Sequence, residues 1–99
     1  MFKELDPILH SQLRLAIVSL LVSVDHAEFT FLREKTGATA GNLSVQIDKL
    51  KQAGYIEVKK TFKDNYPLTL CSITKSGVKA FEKYVEDLQS YLVNNKPKK

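Results

Sequence analysis

Hydrophobic positions follow a helical period up to residue 53, alternate from 55 to 73, and return to a helical period from 75. Asp6-Pro7 is a helix-start signal, with an acceptor at the cap and proline at the first helical position. From there Ile8, Leu9, Leu13, Ile17, Leu20, Leu21 and Val24 keep helical spacing. The stripe is wide, as in a helix central to the core or shared with a partner. Val24-Asp25-His26-Ala27 breaks it. Glu28 to Thr36 reads as a short second helix, with Phe29 and Leu32 inward and Gly37 as its stop. A third helix follows: Thr39 can cap it, Leu43, Ile47 and Leu50 share its buried face, and Gly54 suits the left-handed position past its end. Tyr55, Ile56, Val58 and Phe62 then mix with Glu57, Lys59, Lys60 and Thr61 as in a half-buried strand. Lys63 to Pro67 reads as a turn, and Leu68 to Ile73 pairs back. Thr74 caps a last helix, Lys75 to about Val93. Its Val78, Phe81, Val85, Leu88 and Leu92 step by 3, 4, 3 and 4, a coiled-coil seam flanked by Tyr84 and Tyr91.

Two helices joined by a tight, glycine-containing turn make a helix-turn-helix. A hairpin after it makes a wing. The expected fold is therefore α+β and mostly helical, a winged helix-turn-helix of three helices, a β-hairpin wing and a C-terminal dimerisation helix. The helix-turn-helix falls at about 28–53, the wing at about 55–73 and the last helix at about 75–93. One domain spans 1–93, and NNKPKK at 94–99 is expected to be a basic flexible tail.

Composition changes this picture little. Ninety-nine residues support one core. No apolar run is long enough to span a bilayer, and MFKELDP lacks a signal-peptide pattern, so a cytoplasmic location is expected. A single cysteine, Cys71, forms no internal disulfide. The net charge of +4 suits a polyanionic partner but is common among inert domains.

Candidate chemistry concentrates in two places. The third helix turns Asn42, Ser44, Val45, Gln46 and Lys49 away from its buried face, and Thr39 opens it. Short hydrogen-bonding groups on a helix pinned from behind are what major-groove reading needs; the alternative is a solvated face. Lys59, Lys60, Lys63 and Asn65 sit on or near the hairpin tip, where lysines can meet phosphates or protect a strand edge. From Gly41 to Pro67 five lysines meet three acids, which is not a strong patch. Arg14 and Arg33 are expected to pair with nearby acids rather than with phosphates. His10, His26 and Cys71 have neither metal-ligand spacing nor a nucleophile–base arrangement, so no metal, no cofactor and no enzyme is expected. His10 reads as a hydrogen-bonded structural histidine and Cys71 as a small core residue.

Three segments carry a resemblance. LDPILHSQLRLAIVSLL, FTFLREKTGATAGNLSVQIDKLKQAGYIEVKK and PLTLCSITKSGVKAFEKYV are similar to the first helix, the helix-turn-helix with its first wing strand, and the second wing strand with the final helix, of small winged-helix transcriptional regulators of the MarR/ArsR type. The most specific parts are G-N-L-S-x-x-I-x-x-L-x-x-A-G-Y-I and I-T-K-S-G. The resemblance implies a homodimer on double-stranded DNA, with helix three in the major groove and the wing along the backbone. Relatives often carry arginines at the wing tip and on helix three; here Arg14 and Arg33 lie elsewhere. Bidentate arginine-to-guanine reading by helix three is therefore absent. Asn42 and Gln46 could pair with adenine, Ser44 with a base or phosphate, and Val45 with a thymine methyl. A two-fold dimer built from both terminal helices is expected to use Leu9, Leu13, Val85, Leu88, Tyr91 and Leu92, the alternative being a seam packed on the protomer's own core. A winged-helix module that binds protein rather than DNA is the other functional reading. No residue identifies a small-molecule effector.

Overall fold

The computed structural model describes residues 2–94; the basic tail lies, from residue 95 on, outside them. The order is α1 (Gln12–Leu21), β1 (Ala27–Glu28), α2 (Phe29–Thr36), α3 (Ala40–Gln52), β2 (Ile56–Lys63), β3 (Tyr66–Ile73) and α4 (Lys75–Asn94). The three strands form an antiparallel sheet in the order β1-β3-β2. This is the winged helix-turn-helix that the hydrophobic pattern predicts.

Helix α1 fills the centre. Its Ile17, Val18 and Leu21 are fully buried, with Leu32 of α2, Leu43 and Leu50 of α3, Ile56 of β2 and Cys71 of β3 around them. Burying one such side chain contributes about 1.5–3 kcal/mol, so this cluster is the main force closing the domain.

Two starts differ from expectation. Asp6 does not cap α1. Its Oδ1 accepts from the Ile8 N–H at 2.8 Å and its carbonyl from the His10 N–H at 2.8 Å, which makes an isolated turn. Ser11, in extended conformation, then caps the helix proper. The other Asp6 carboxylate oxygen, Oδ2, accepts from the Tyr55 hydroxyl at 2.5 Å, which ties this turn to the start of β2. The second difference is β1. Ala27 and Glu28 pair with Cys71 and Leu70, where the sequence shows only a broken helical pattern. Two residues are too few to display alternation.

Glycine and threonine set the other boundaries. Gly37, at φ 70°, ends α2, and its N–H returns to the Arg33 carbonyl at 2.9 Å. Thr39 caps α3 by accepting from the Asn42 N–H at 3.1 Å. Gly54 turns at φ 81°. The two sequence motifs then interlock in space: the Thr74 hydroxyl donates to the Gly54 carbonyl at 2.7 Å and the Thr74 N–H to the Tyr55 carbonyl at 3.0 Å. A Cβ at Gly77 would overlap that same Tyr55 carbonyl oxygen and sit 2.8 Å from Ile73 Cγ1. Glycine is required there by close approach, not by backbone angle.

The hairpin turn is shorter than expected. Lys63 pairs with Tyr66, and only Asp64 and Asn65 turn, at φ 51° and 68°. Asp and Asn tolerate this left-handed pair, which matches the twist of the strands. Pro67 stands in β3 opposite Phe62, beyond the part of β3 that β1 covers, so its missing N–H breaks no ladder.

Candidate nucleic-acid interface

Helix α3 is anchored by Leu43, Ile47 and Leu50, and the anchoring turns its opposite side to solvent. Asn42, Ser44, Val45, Asp48, Lys49 and Gln52 are exposed there, with Val45 at 51%. Thr39 is exposed too, but its hydroxyl oxygen already serves as the cap. Lys49 and Lys51 lie in the last turn, where cations also complement the helix dipole.

Gln46 differs from its neighbours. It is half-buried, and both ends of its amide are engaged. Arg14 Nη1 donates to Gln46 Oε1 at 2.6 Å, and Gln46 Nε2 donates to Asn42 Oδ1 at 3.1 Å. The expected pairing of Gln46 with adenine meets competition inside the protein, since one of its two N–H donors and one lone pair of its oxygen are already engaged. The expectation for Arg14 is corrected: among the described residues it pairs with no acid but donates through Nε to the Ile8 carbonyl at 2.6 Å and through Nη2 to the Pro7 carbonyl at 3.5 Å. Neither was legible, because positions 14 and 46 meet only through tertiary packing.

Directly opposed residues of a β-ladder share a face. Val58, Lys60 and Phe62 therefore face one side with Cys71, Thr69 and Pro67, whereas Lys59, Thr61 and Lys63 face the other with Leu70, Leu68 and Tyr66. The wing lysines do not act as one group. Lys60 joins Thr69 and Val58 on the wall of a cleft of about 420 Å³, whose other lining is Ser44, Ile47, Asp48 and Lys51 of α3 and Phe29 of α2. Lys63 lines a separate hollow on the far side with His26, Glu28 and Phe31. Lys51 and Thr69 thus line the candidate cleft although the sequence did not single them out; the register places Thr69 opposite Lys60. At the tip, Phe62 and Tyr66 stand 74% and 75% exposed beside Asn65.

Electrostatically the cleft is modest. Lys49, Lys51, Lys59, Lys60 and Lys63 have no carboxylate within ion-pair distance among the described residues, where Lys83–Asp87 at 2.9 Å is the ion pair present. Asp48 on the cleft wall offsets part of the positive field. His10 meets the Tyr84 hydroxyl at 3.1 Å, as a structural histidine should. Cys71 is fully buried and burial pushes its thiol up, which suits a core residue and not a thiolate. Among the described residues no group of three potential metal ligands occurs, and no helix is long and apolar enough to cross a membrane.

The residues expected at a dimer face divide. Leu9 is fully buried in the protomer's own core and is removed from that face, because the turn at Asp6 folds it under α1. Leu13 is half-buried against the same core. On α4, Phe81 and Tyr84 pack against the core, and the Tyr91 ring lies tilted against Phe2 at 5.0 Å while its hydroxyl donates to the Lys3 carbonyl at 2.7 Å. Val85, Leu88 and Leu92 remain exposed, Leu92 at 68%.

A model of the winged helix DNA-binding domain matches residues 13–92. An uncharacterized protein of Methanocaldococcus jannaschii is 35% identical over 81 residues, covering 82% of this chain and 88% of that one. Among solved structures, a transcriptional regulator homologue from Pyrococcus horikoshii aligns with a TM-score of 0.84 at 26% identity, over 91% of this chain and 89% of that one. The transcriptional regulator BldR from Sulfolobus solfataricus aligns at 0.71 and 20% identity, over 83% of this chain and 58% of its own length, a likeness of fold. The matched span and the identity to the Methanocaldococcus relative make this chain a member of the winged-helix DNA-binding domain family.

Proposed function

We propose that the protein is a dimeric, sequence-specific DNA-binding transcription regulator, with α3 in the major groove and the wing on the phosphate backbone. The observation that carries this reading is the cleft between α3 and the wing, where Lys51 and Lys60 stand, without ion-pair partners among the described residues, beside the hydroxyls of Ser44 and Thr69. A phosphate strand presents the complementary chemistry: acceptor oxygens and negative charge at regular spacing. Asn42, Ser44 and Val45 are the exposed groups for base edges. Lys49 reaches the backbone from the outer side of α3, and Lys59, Lys63 and Asn65 reach it from the wing tip and far face. Val85, Leu88 and Leu92 support a dimer through α4, since an apolar helix stripe left in water favours a second copy of itself. Two-fold symmetry then sets half-site centres about one helical turn apart.

A titration of generic duplex DNA at rising salt tests this reading. The expected result is micromolar or tighter binding at low salt, weakening with a log–log slope of several units. No binding at low salt would overturn it. That outcome would favour the second reading, a protein-binding winged helix, whose own support is Phe62 and Tyr66, exposed on opposite faces of the wing tip.

A further inference from the structure

An arginine guanidinium has five N–H donors and no acceptor. Whatever amide it touches must present oxygen. Arg14 Nη1 lies 2.6 Å from Gln46 Oε1, so Gln46 turns its Nε2 toward Asn42. An amide nitrogen only donates, so Asn42 must present Oδ1 in reply, at 3.1 Å. Neither amide can turn over without setting donor against donor. Arg14 is itself held, by the carbonyls of Ile8 and Pro7 and by half-burial. One buried-side arginine thus imposes a direction on a chain of hydrogen bonds that ends at the solvent face of α3.

The consequence falls on Asn42, an exposed residue in the first turn of α3. Its carbonyl is turned along the helix toward Gln46, one turn further on. Its Nδ2, with two N–H donors, has no partner among the described residues. An unconstrained asparagine reads adenine by donating to N7 while accepting from N6. With Oδ1 turned toward Gln46, the end left without a partner among the described residues is Nδ2, whose two donors match guanine O6 and N7, or thymine O4, better than adenine, which offers them N7 alone. We infer that Arg14 is a positioning residue that sets the hydrogen-bond polarity of α3, holding Asn42 as a donor through Gln46 so that the helix selects an acceptor-bearing base edge at that position. The inference rests on the DNA-binding reading above. It gives an arginine a part in base selection although none lies on the recognition helix.

The test compares the full chain with Gln46→Glu and Arg14→Met by selection of bound sequences from random duplexes. Glutamate carries acceptors only. It would take Arg14 on one oxygen and Asn42 Nδ2 on the other, turning Asn42 round to present Oδ1. The expected result is a switch of preference at one position per half-site, by about tenfold, from an acceptor-bearing edge to a donor-bearing one, cytosine N4 or adenine N6. The added charge weakens binding to all sequences alike and leaves that ratio readable. Arg14→Met keeps an unbranched apolar stem, frees both amides, and should relax preference at the same position while generic duplex affinity at low salt stays within about threefold. In the free protein, the side-chain amide NMR signal of Asn42 should move in Gln46→Glu as its N–H gains a carboxylate acceptor. Unchanged base preference in Gln46→Glu overturns the inference alone, with DNA binding intact. A wild-type chain that binds duplex without preference overturns it as well, and one that binds no duplex overturns the DNA-binding reading and this inference together.

Discussion

Helices α3 and α4 are both amphipathic, and both begin at a capping threonine. They solve opposite problems. Helix α3 buries leucine and isoleucine and shows water Asn42, Ser44, Asp48 and Lys49. Helix α4 buries Tyr84 and Asp87 and shows water Val85, Leu88 and Leu92. A polar outer face needs no cover and is free to meet a polyanion. An apolar outer face costs free energy until something covers it. The difference teaches that amphipathicity alone does not say which face is the functional one; the buried side decides it.

The largest effect should come from breaking the anchor of α3. Leu50→Ala removes a fully buried side chain and is expected to cost about 2–5 kcal/mol in chemical denaturation, loosening the whole interface. Next is the join that sets the angle of α4. Gly77→Ala places a methyl against the Tyr55 carbonyl and should cost about 1–3 kcal/mol by the same measurement, since neither backbone can yield. Leu88→Glu attacks the other half of the comparison: sedimentation should show a monomer, with protomer stability changed by only about 0.5 kcal/mol. An unchanged mass would mean that α4 needs no partner.

The smallest effect is a pH dependence at the strap before α1. The hydrogen bond to Asp6, aided by burial and by the carboxylate charge, pushes the Tyr55 phenol up to about 12 from 10.0. The folded state holds this proton more tightly than the unfolded chain does. Its stabilisation is therefore complete below pH 10 and is lost as pH rises through 12. The stability gap between wild type and Tyr55→Phe should close over that window. A gap constant with pH would mean that the Asp6 bond adds nothing.

The frame of the candidate site was legible in advance for local reasons. Thr39, Gly37 and Gly54 bound α3 through their own backbone chemistry, and Leu43, Ile47 and Leu50 orient it by spacing alone. Asn42, Ser44 and Val45 follow, because they are what remains outside. Lys59, Lys60 and Lys63 were legible as wing residues but not as residues of two faces, since the face depends on register with β3. Lys51 and Thr69 were missed because the cleft exists only where helix and hairpin meet.

What the chain determined by itself is therefore the set of elements and the buried side of each, since hydrophobic period, caps and turn residues act within a few positions. What only the tertiary structure decided is which polar groups are already engaged. Arg14 engages Gln46 across 32 positions, Asp6 accepts the Tyr55 hydrogen bond across 49, and Leu9 is covered by its own protomer. A hydrogen bond or a covered surface depends on the partner that folding brings to it, and no local pattern specifies that partner.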